Sequence, residues 1–388
     1  MSCDTFIESL RSEIRDLPKY ESGLSLEYVR AHYRMDEIAK LGSNENPFGA
    51  SPSVMAAISA SASGAALYPD PSSDDLRAAL TRYLGVSPDR IALGNGSEDL
   101  IAIAAHTFLA PGADVLTIAP SFGLHIIFPL SMGARVRTVI VQKGDDHDYR
   151  FDMGEFVAAM TPETRMVIFS NPSNPLGNSI GAEDMSRLFA ALGPKTLLVF
   201  DEAYFEYAAA DPSYPRFLEM LKVWPSPWLL LRTFSKAYGL AGLRVGYAVA
   251  SDASLLGLMD RVRTPFNVNR VAQVAAVAAL KDMAHAQDCV ARTIQERERV
   301  RRALGDLGYR PAPSRANFLF FDACEDASEL AARLLTHGVI VKPWREPGFS
   351  DHVRVSIGSP RANDQFLNAL AAAANYKTNP ASAPAPVG

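Results

Sequence analysis

From residue 91 to 234 the chain repeats one polarity pattern: a short apolar run, a polar exit, then a stretch with helical spacing. The runs are IALGNG, DVLTIAP, RVRTVIV, RMVIFSN, TLLVFDE and WLLLRTF. Most lack polar alternation, as expected of parallel strands covered on both faces. SEDLIAIAAHTFL, which follows the first run, has the spacing of a helix. An α/β fold with a mainly parallel, doubly wound sheet follows. Upstream, the pattern predicts a short amphipathic helix over Thr5–Arg15, broken by Pro18 and Gly23, and a second helix near Ser53–Ala62. LYPDPSSDDLRAALTRYLG predicts a turn and a helix N-capped by Ser73.

After Asn269 the pattern changes. One long helix is predicted from Val271 to about Leu307, stopped at Gly308. FLFFDA, VIVKPW and HVRVSIG then read as strands, with helices at ASELAARLLTHG and NDQFLNALAAAANY. This is a smaller α+β unit. The expected organisation is an N-terminal arm (1–42), free to lie on a neighbouring subunit, a large domain (43–270), a small C-terminal domain (271–376) and an irregular Pro/Ala-rich tail (377–388). A chain of 388 residues exceeds what one core usually supports, which agrees with two domains.

Composition narrows the class. Apolar residues make up 48% and charged residues 21%, an ordinary balance for a soluble enzyme. The net charge of −5 gives no reason to expect nucleic acid or an anionic membrane as partner. Cys3, Cys289 and Cys324 are odd in number and in no metal-ligand spacing. No metal site and no disulfide framework are expected. The N-terminus MSCDTFIESLRSEIRD lacks an apolar signal core, and no run is long enough to span a bilayer. The expected location is the cytoplasm.

In open α/β sheets, ligands sit beyond the carboxyl ends of the strands. Four exits carry unusual polar residues: GNGSE (Gly94–Glu98), SNPSNPLG (Ser170–Gly177), DEAY (Asp201–Tyr204) and TFSK (Thr233–Lys236). Lys236 is either a solvated lysine after a strand or a desolvated, nucleophilic amine. Asp201, ending an apolar run, is either a capping acid or the partner of a buried cation. Gly96, Ser97 and Glu98 open a helix, where free N–H groups bind anions, though glycine turns are common there. Arg244 could clamp a phosphate. Asn174 sits in a rigid turn, Tyr204 could reach the same pocket or pack in the core, and Phe122 could stack on a ring or pack in the core. Amine, carboxylate and phosphate donors are together what pyridoxal 5′-phosphate (PLP) requires.

The ordered set LGSNENPFG, LYPDP, GNGSEDLI, NPSNPLG, FDEAY, TFSKAYGLAGLRVGY and VRVSIGS resembles the fold-type I PLP aminotransferases of class I/II, in particular their histidinol-phosphate branch. The similarity spans roughly residues 18–370. It implies an aspartate aminotransferase-like fold and a homodimer. It also implies roles. Lys236 would carry the cofactor and shuttle the proton, and Asp201 would pair the pyridine nitrogen. Asn174 and Tyr204 would bind the cofactor's phenolic oxygen. Gly96, Ser97, Thr233, Ser235 and Arg244 would hold its phosphate, with Glu98 beside them, and Phe122 would stack on its ring. Tyr68 and Tyr20 would reach a partner subunit's cofactor and substrate, although Tyr20 could equally be an ordinary interface residue. Arg354 would grip the substrate's anion unless it is a structural ion-pair residue. Lys342 stands where this branch usually has a second arginine, and Leu176 where threonine is usual. Lysine binds an anion as a point charge without the arginine fork. The implied reaction interconverts L-histidinol phosphate and 2-oxoglutarate with imidazole-acetol phosphate and L-glutamate. Transamination of aromatic or other amino acids, decarboxylation of threonine phosphate, and ligand binding without turnover remain alternatives on the same fold.

Overall fold

The fold is taken from a computed structural model, in which residues 3–33, 35–144 and 148–378 are described. Its strands are β1 (Ala39–Lys40), β2 (Ile91–Gly94), β3 (Asp114–Ala119), β4 (Arg135–Ile140), β5 (Gln142–Lys143), β6 (Tyr149–Arg150), β7 (Thr164–Ser170), β8 (Leu197–Asp201), β9 (Trp228–Thr233), β10 (Gly246–Ala250), β11 (Phe318–Asp322), β12 (Val339–Ile340), β13 (Lys342–Pro343) and β14 (His352–Ser356).

Seven of these form the central sheet, in the order β2-β10-β9-β8-β7-β3-β4. β10 runs antiparallel to both neighbours, and the other pairings are parallel. The unbroken apolar runs follow from cover on both faces. Val167, Phe169, Leu198, Phe200 and Leu230 pack with helices Asp74–Leu84, Ala182–Ala191 and Arg270–Lys281. The alternate residues Met166, Ile168, Leu197, Val199, Leu229 and Leu231 pack with helices Ser97–Phe108 and Ala253–Met259. Each fully buried Leu or Phe contributes about 1.5–3 kcal/mol. β4 lies at the sheet edge, and its sequence RVRTVI accordingly alternates and is largely open to solvent.

β11, β14 and β13 form a second, antiparallel sheet. One face of it gathers Leu319, Phe321, Val353 and Val355 with Phe366 and Leu370 of the last helix. Phe318 and Phe320, pointing the other way, join the core of the large sheet. Ala39 and Leu41, placed in the arm by the sequence pattern, pack into the C-terminal core, and β1 pairs with β12.

Other expectations shift. The helix predicted over 5–15 is two, Cys3–Glu8 and Ser12–Arg15. Its Arg11 donates to Ser131 O at 2.7 Å, so the arm folds onto its own chain. The helix predicted over 271–307 breaks at Asp282 into Arg270–Lys281 and Met283–Asp306. There the Asp282 carboxylate accepts from Ser53 Oγ at 2.7 Å. Ser73 is no side-chain cap: it lies at φ 51°, and its hydroxyl makes no capping bond. The Asp70 carboxylate accepts from the Ser72 and Asp74 N–H groups instead, at 3.0 and 2.7 Å. The last helix spans Pro360–Thr378, two residues into the predicted tail. The remainder of that tail, 379–388, lies outside the described residues.

Candidate active site

One cavity of about 680 Å³ opens at the carboxyl edge of the central sheet. The exits of β2, β3, β7, β8 and β9 reach it, as do Gly42–Glu45 and the β13–β14 loop. It brings together Tyr20, Ser97, Glu98, Phe122, Asn174, Asp201, Tyr204, Thr233, Ser235, Lys236, Arg244, Lys342 and Arg354.

Lys236 follows β9. Its Nζ donates to Ser43 O at 3.1 Å and lies 5.9 Å from the Tyr204 ring centre. The side chain stays accessible from the cavity, yet the protein around it strips water from the ammonium. That desolvation, with the positive field of Arg354, lowers its pKa to about 8. Asp201 ends β8 and is buried. Its Oδ2 accepts from His125 Nε2 at 3.1 Å, and its Oδ1 accepts from Ala203 N at 3.0 Å. Tyr204 Oη accepts from Asn44 Nδ2 at 2.9 Å, and burial raises its pKa to about 12, so it is a neutral phenol at ordinary pH.

The turn after β2 is a cup of donors. Gly96, at φ 85°, precedes the helix Ser97–Phe108, and a Cβ on it would collide with the Arg244 guanidinium. A Cβ on Gly246 would lie 2.5 Å from Ser97 N, so only glycine lets β10 pass this close to the helix start. Arg244 itself adopts φ 59°. Its Nη1 donates to Ser235 Oγ at 3.3 Å, and its Nη2 pairs with Glu98 at 2.9 Å. Thr233 Oγ1 donates to Ser235 Oγ at 2.9 Å.

Arg354, on β14, donates to Asn174 Oδ1 at 2.7 Å and to Gly42 O at 2.6 Å. Its buried Nε has no partner. Lys342 Nζ donates to Glu21 O at 2.8 Å, and burial lowers its pKa.

Tyr68, which the resemblance directs to a partner subunit, lies outside this chain's cavity: it is 78% exposed and its ring stacks on Phe266 at 4.6 Å. Tyr20, expected to reach a partner's site, lines the cavity of its own chain, its ring edge-on to Phe122 at 5.9 Å. The patterns did not single out His125, Ser43, Asn44 or Glu346. His125 carried one signal, a polar residue inside the apolar helix LHIIFPLS, and Ser43 and Asn44 sat within the quoted motif LGSNENPFG.

The sequence profile of the aminotransferase class I and II family matches residues 36–370. The chain belongs to that family. Among its relatives is histidinol-phosphate aminotransferase 3 of Rhizobium meliloti (strain 1021), 48% identical over 361 residues, covering 93% of this chain and 96% of the relative. Histidinol-phosphate aminotransferase 1 of Mesorhizobium japonicum is 46% identical over 363 residues, covering 94% and 98%. The crystal structure of histidinol-phosphate aminotransferase from Sinorhizobium meliloti with pyridoxal-5′-phosphate superposes with a TM-score of 0.85 at 32% identity, covering 95% and 98%. This aminotransferase is PLP-dependent, and the cavity fits that cofactor on its own terms. It supplies a glycine-lined cup with a helix N-terminus and an arginine, a deep carboxylate, and a desolvated amine.

Proposed function

We propose that this aminotransferase moves an amino group between L-histidinol phosphate and 2-oxoglutarate, yielding imidazole-acetol phosphate and L-glutamate. One observation carries the reading: the Lys236 amine and the Arg354 guanidinium share a cavity. A substrate with an anion at a fixed reach from its amino group satisfies both. The names of the relatives support the choice of substrate.

When bound, PLP supplies an aldehyde for the amino group and a ring that takes up the electron pair released at the substrate carbon. The protein does the rest. Ser97 N, Thr233, Ser235 and Arg244 hold the phosphate. Asp201, oriented by His125, keeps a proton on the ring nitrogen. Asn174 and Tyr204 donate to the phenolic oxygen. Phe122 packs against the ring. Lys236 anchors the cofactor, and its Nζ carries the proton from the substrate's amino-bearing carbon. Arg354 and Lys342 bind the substrate anion. The proposal includes a homodimer, in which the exposed Tyr68 reaches the partner's phosphate site, and a cytoplasmic location.

The test is the near-ultraviolet and visible absorption of separate samples of the holoenzyme on adding L-glutamate to one and L-histidinol phosphate to the other. A band that moves to shorter wavelength with both compounds, and is absent in Lys236→Ala, is the expected result. A band that answers glutamate but ignores histidinol phosphate would remove the substrate and keep the transaminase.

A further inference from the structure

The cavity is cationic at its substrate end, where Arg354, Lys342 and Arg345 line it. A carboxylate also stands there, Glu346, on the β13–β14 loop. Its Oε2 accepts from Ser121 N at 3.0 Å and from Trp344 Nε1 at 3.2 Å. Its Oε1 has only a longer contact to the same Ser121 N, at 3.4 Å. Among the described residues Glu346 has no ion-pair partner. The neighbouring cations are engaged elsewhere, since Lys342 donates to Glu21 O and Arg345 pairs with the Glu21 carboxylate. Ser121 immediately precedes Phe122, so Glu346 is fixed beside the ring-packing side of the cavity.

A carboxylate oxygen accepts about two hydrogen bonds, so Oε1 retains capacity. Each partner that Glu346 does have is a neutral N–H. Leaving a carboxylate half-desolvated in a pocket built for anions is unfavourable unless the ligand brings a donor. We propose that Glu346 accepts a hydrogen bond from an N–H of the substrate's imidazole ring and so sets the enzyme's preference for that ring. This rests on the function proposed above. In histidinol phosphate the phosphate goes to the cations and the amine to the Lys236 side, so the ring is the group left to meet Glu346. Imidazole always carries at least one N–H, and near neutral pH it is partly cationic. L-Glutamate has no group that matches Glu346, so the contact acts on one half-reaction only, and specificity is such a difference.

The experiment compares the holoenzyme with Glu346→Gln and Glu346→Ala. Initial rates are measured with L-histidinol phosphate and with L-phenylalaninol phosphate, which keeps amine and phosphate but has no ring N–H. The expected result is a wild-type preference for the imidazole compound. In Glu346→Ala that preference falls about tenfold or more, through a higher KM with kcat little changed, and Glu346→Gln falls between. Intact cofactor absorption and thermal midpoint identify folded variants, and Glu346→Asp replaces any that fail. Equal slowing with both compounds would overturn the proposal and leave Glu346 as a tie from its loop to Ser121. An unchanged preference with unchanged rates would place the ring elsewhere. A wild-type enzyme inert toward histidinol phosphate would sink the functional reading itself, and that result is visible before any variant is made.

Discussion

Lys236 sits in surroundings that disfavour its charge. Its pKa is about 8 in the folded chain against 10.5 for an ordinary lysine. Between those values the unfolded chain binds more protons than the folded one. Stability of the cofactor-free protein therefore rises with pH across that window, and the penalty is fully present below about 8. Lys236→Met should stabilise the cofactor-free protein at pH 7 by about 2 kcal/mol, allowing for solvent access through the cavity. The gain should shrink toward pH 10, and urea unfolding at both pH values checks it. Lys236 and Asp201 were legible because Asp201 ends an apolar strand with a charge and Lys236 follows one within three residues. His125 was not: it lies 76 residues from Asp201 in sequence, and only the fold brings the two within 3.1 Å.

At the scale of elements, the turn 70–74 shows how a cap can be misassigned. Ser73 stands at the textual position of an N-cap, but its left-handed backbone turns the hydroxyl away from the helix start. Asp70 takes over from four residues back. Asp70→Ala should lower stability by about 1 kcal/mol, and Ser73→Ala by only a few tenths. Thermal unfolding of the two variants side by side decides it; a larger loss from Ser73→Ala would restore the serine as the cap. The parallel strands were readable from their unbroken apolar runs. GYAVA, which forms β10, escaped because it is short, rich in small residues and embedded in a motif already read for its chemistry. The long helix breaks at Asp282, where the backbone leaves helical geometry and the carboxylate meets Ser53 from another helix, and no local pattern announces such a contact.

Over the whole molecule, the segment Gly42–Asn44 joins parts that the sequence kept separate. Gly42 O takes Arg354, Ser43 O takes Lys236, and Asn44 reaches Tyr204. Asn44 also bonds Ser356 Oγ through both its N–H and its Oδ1, at 2.8 Å each. Its carbonyl accepts from Asn317 Nδ2 at 3.0 Å. Asn44 adopts φ 55°, a conformation asparagine tolerates better than most residues. Asn44→Ala loses two buried side-chain bonds and adds backbone strain, for an expected cost of about 2–4 kcal/mol. A lower thermal midpoint is the readout, and an unchanged one would mean that the segment is not a tie. The sequence read this stretch as a loop, since its partners lie as far as 312 residues away.

The reversed strand of the central sheet has one more consequence. Because β10 runs back beside β9, the chain leaves the cavity edge and returns to it within a single bend, residues 234–245. Lys236 and Arg244, the amine and the guanidinium proposed to hold the cofactor, are thus two marks on one short gauge. Their spacing along the chain is set by the length of that bend, while Ser43 and Glu98 engage the two side chains from outside it. Deleting or inserting a residue between 237 and 243 would keep both groups and change the span between them.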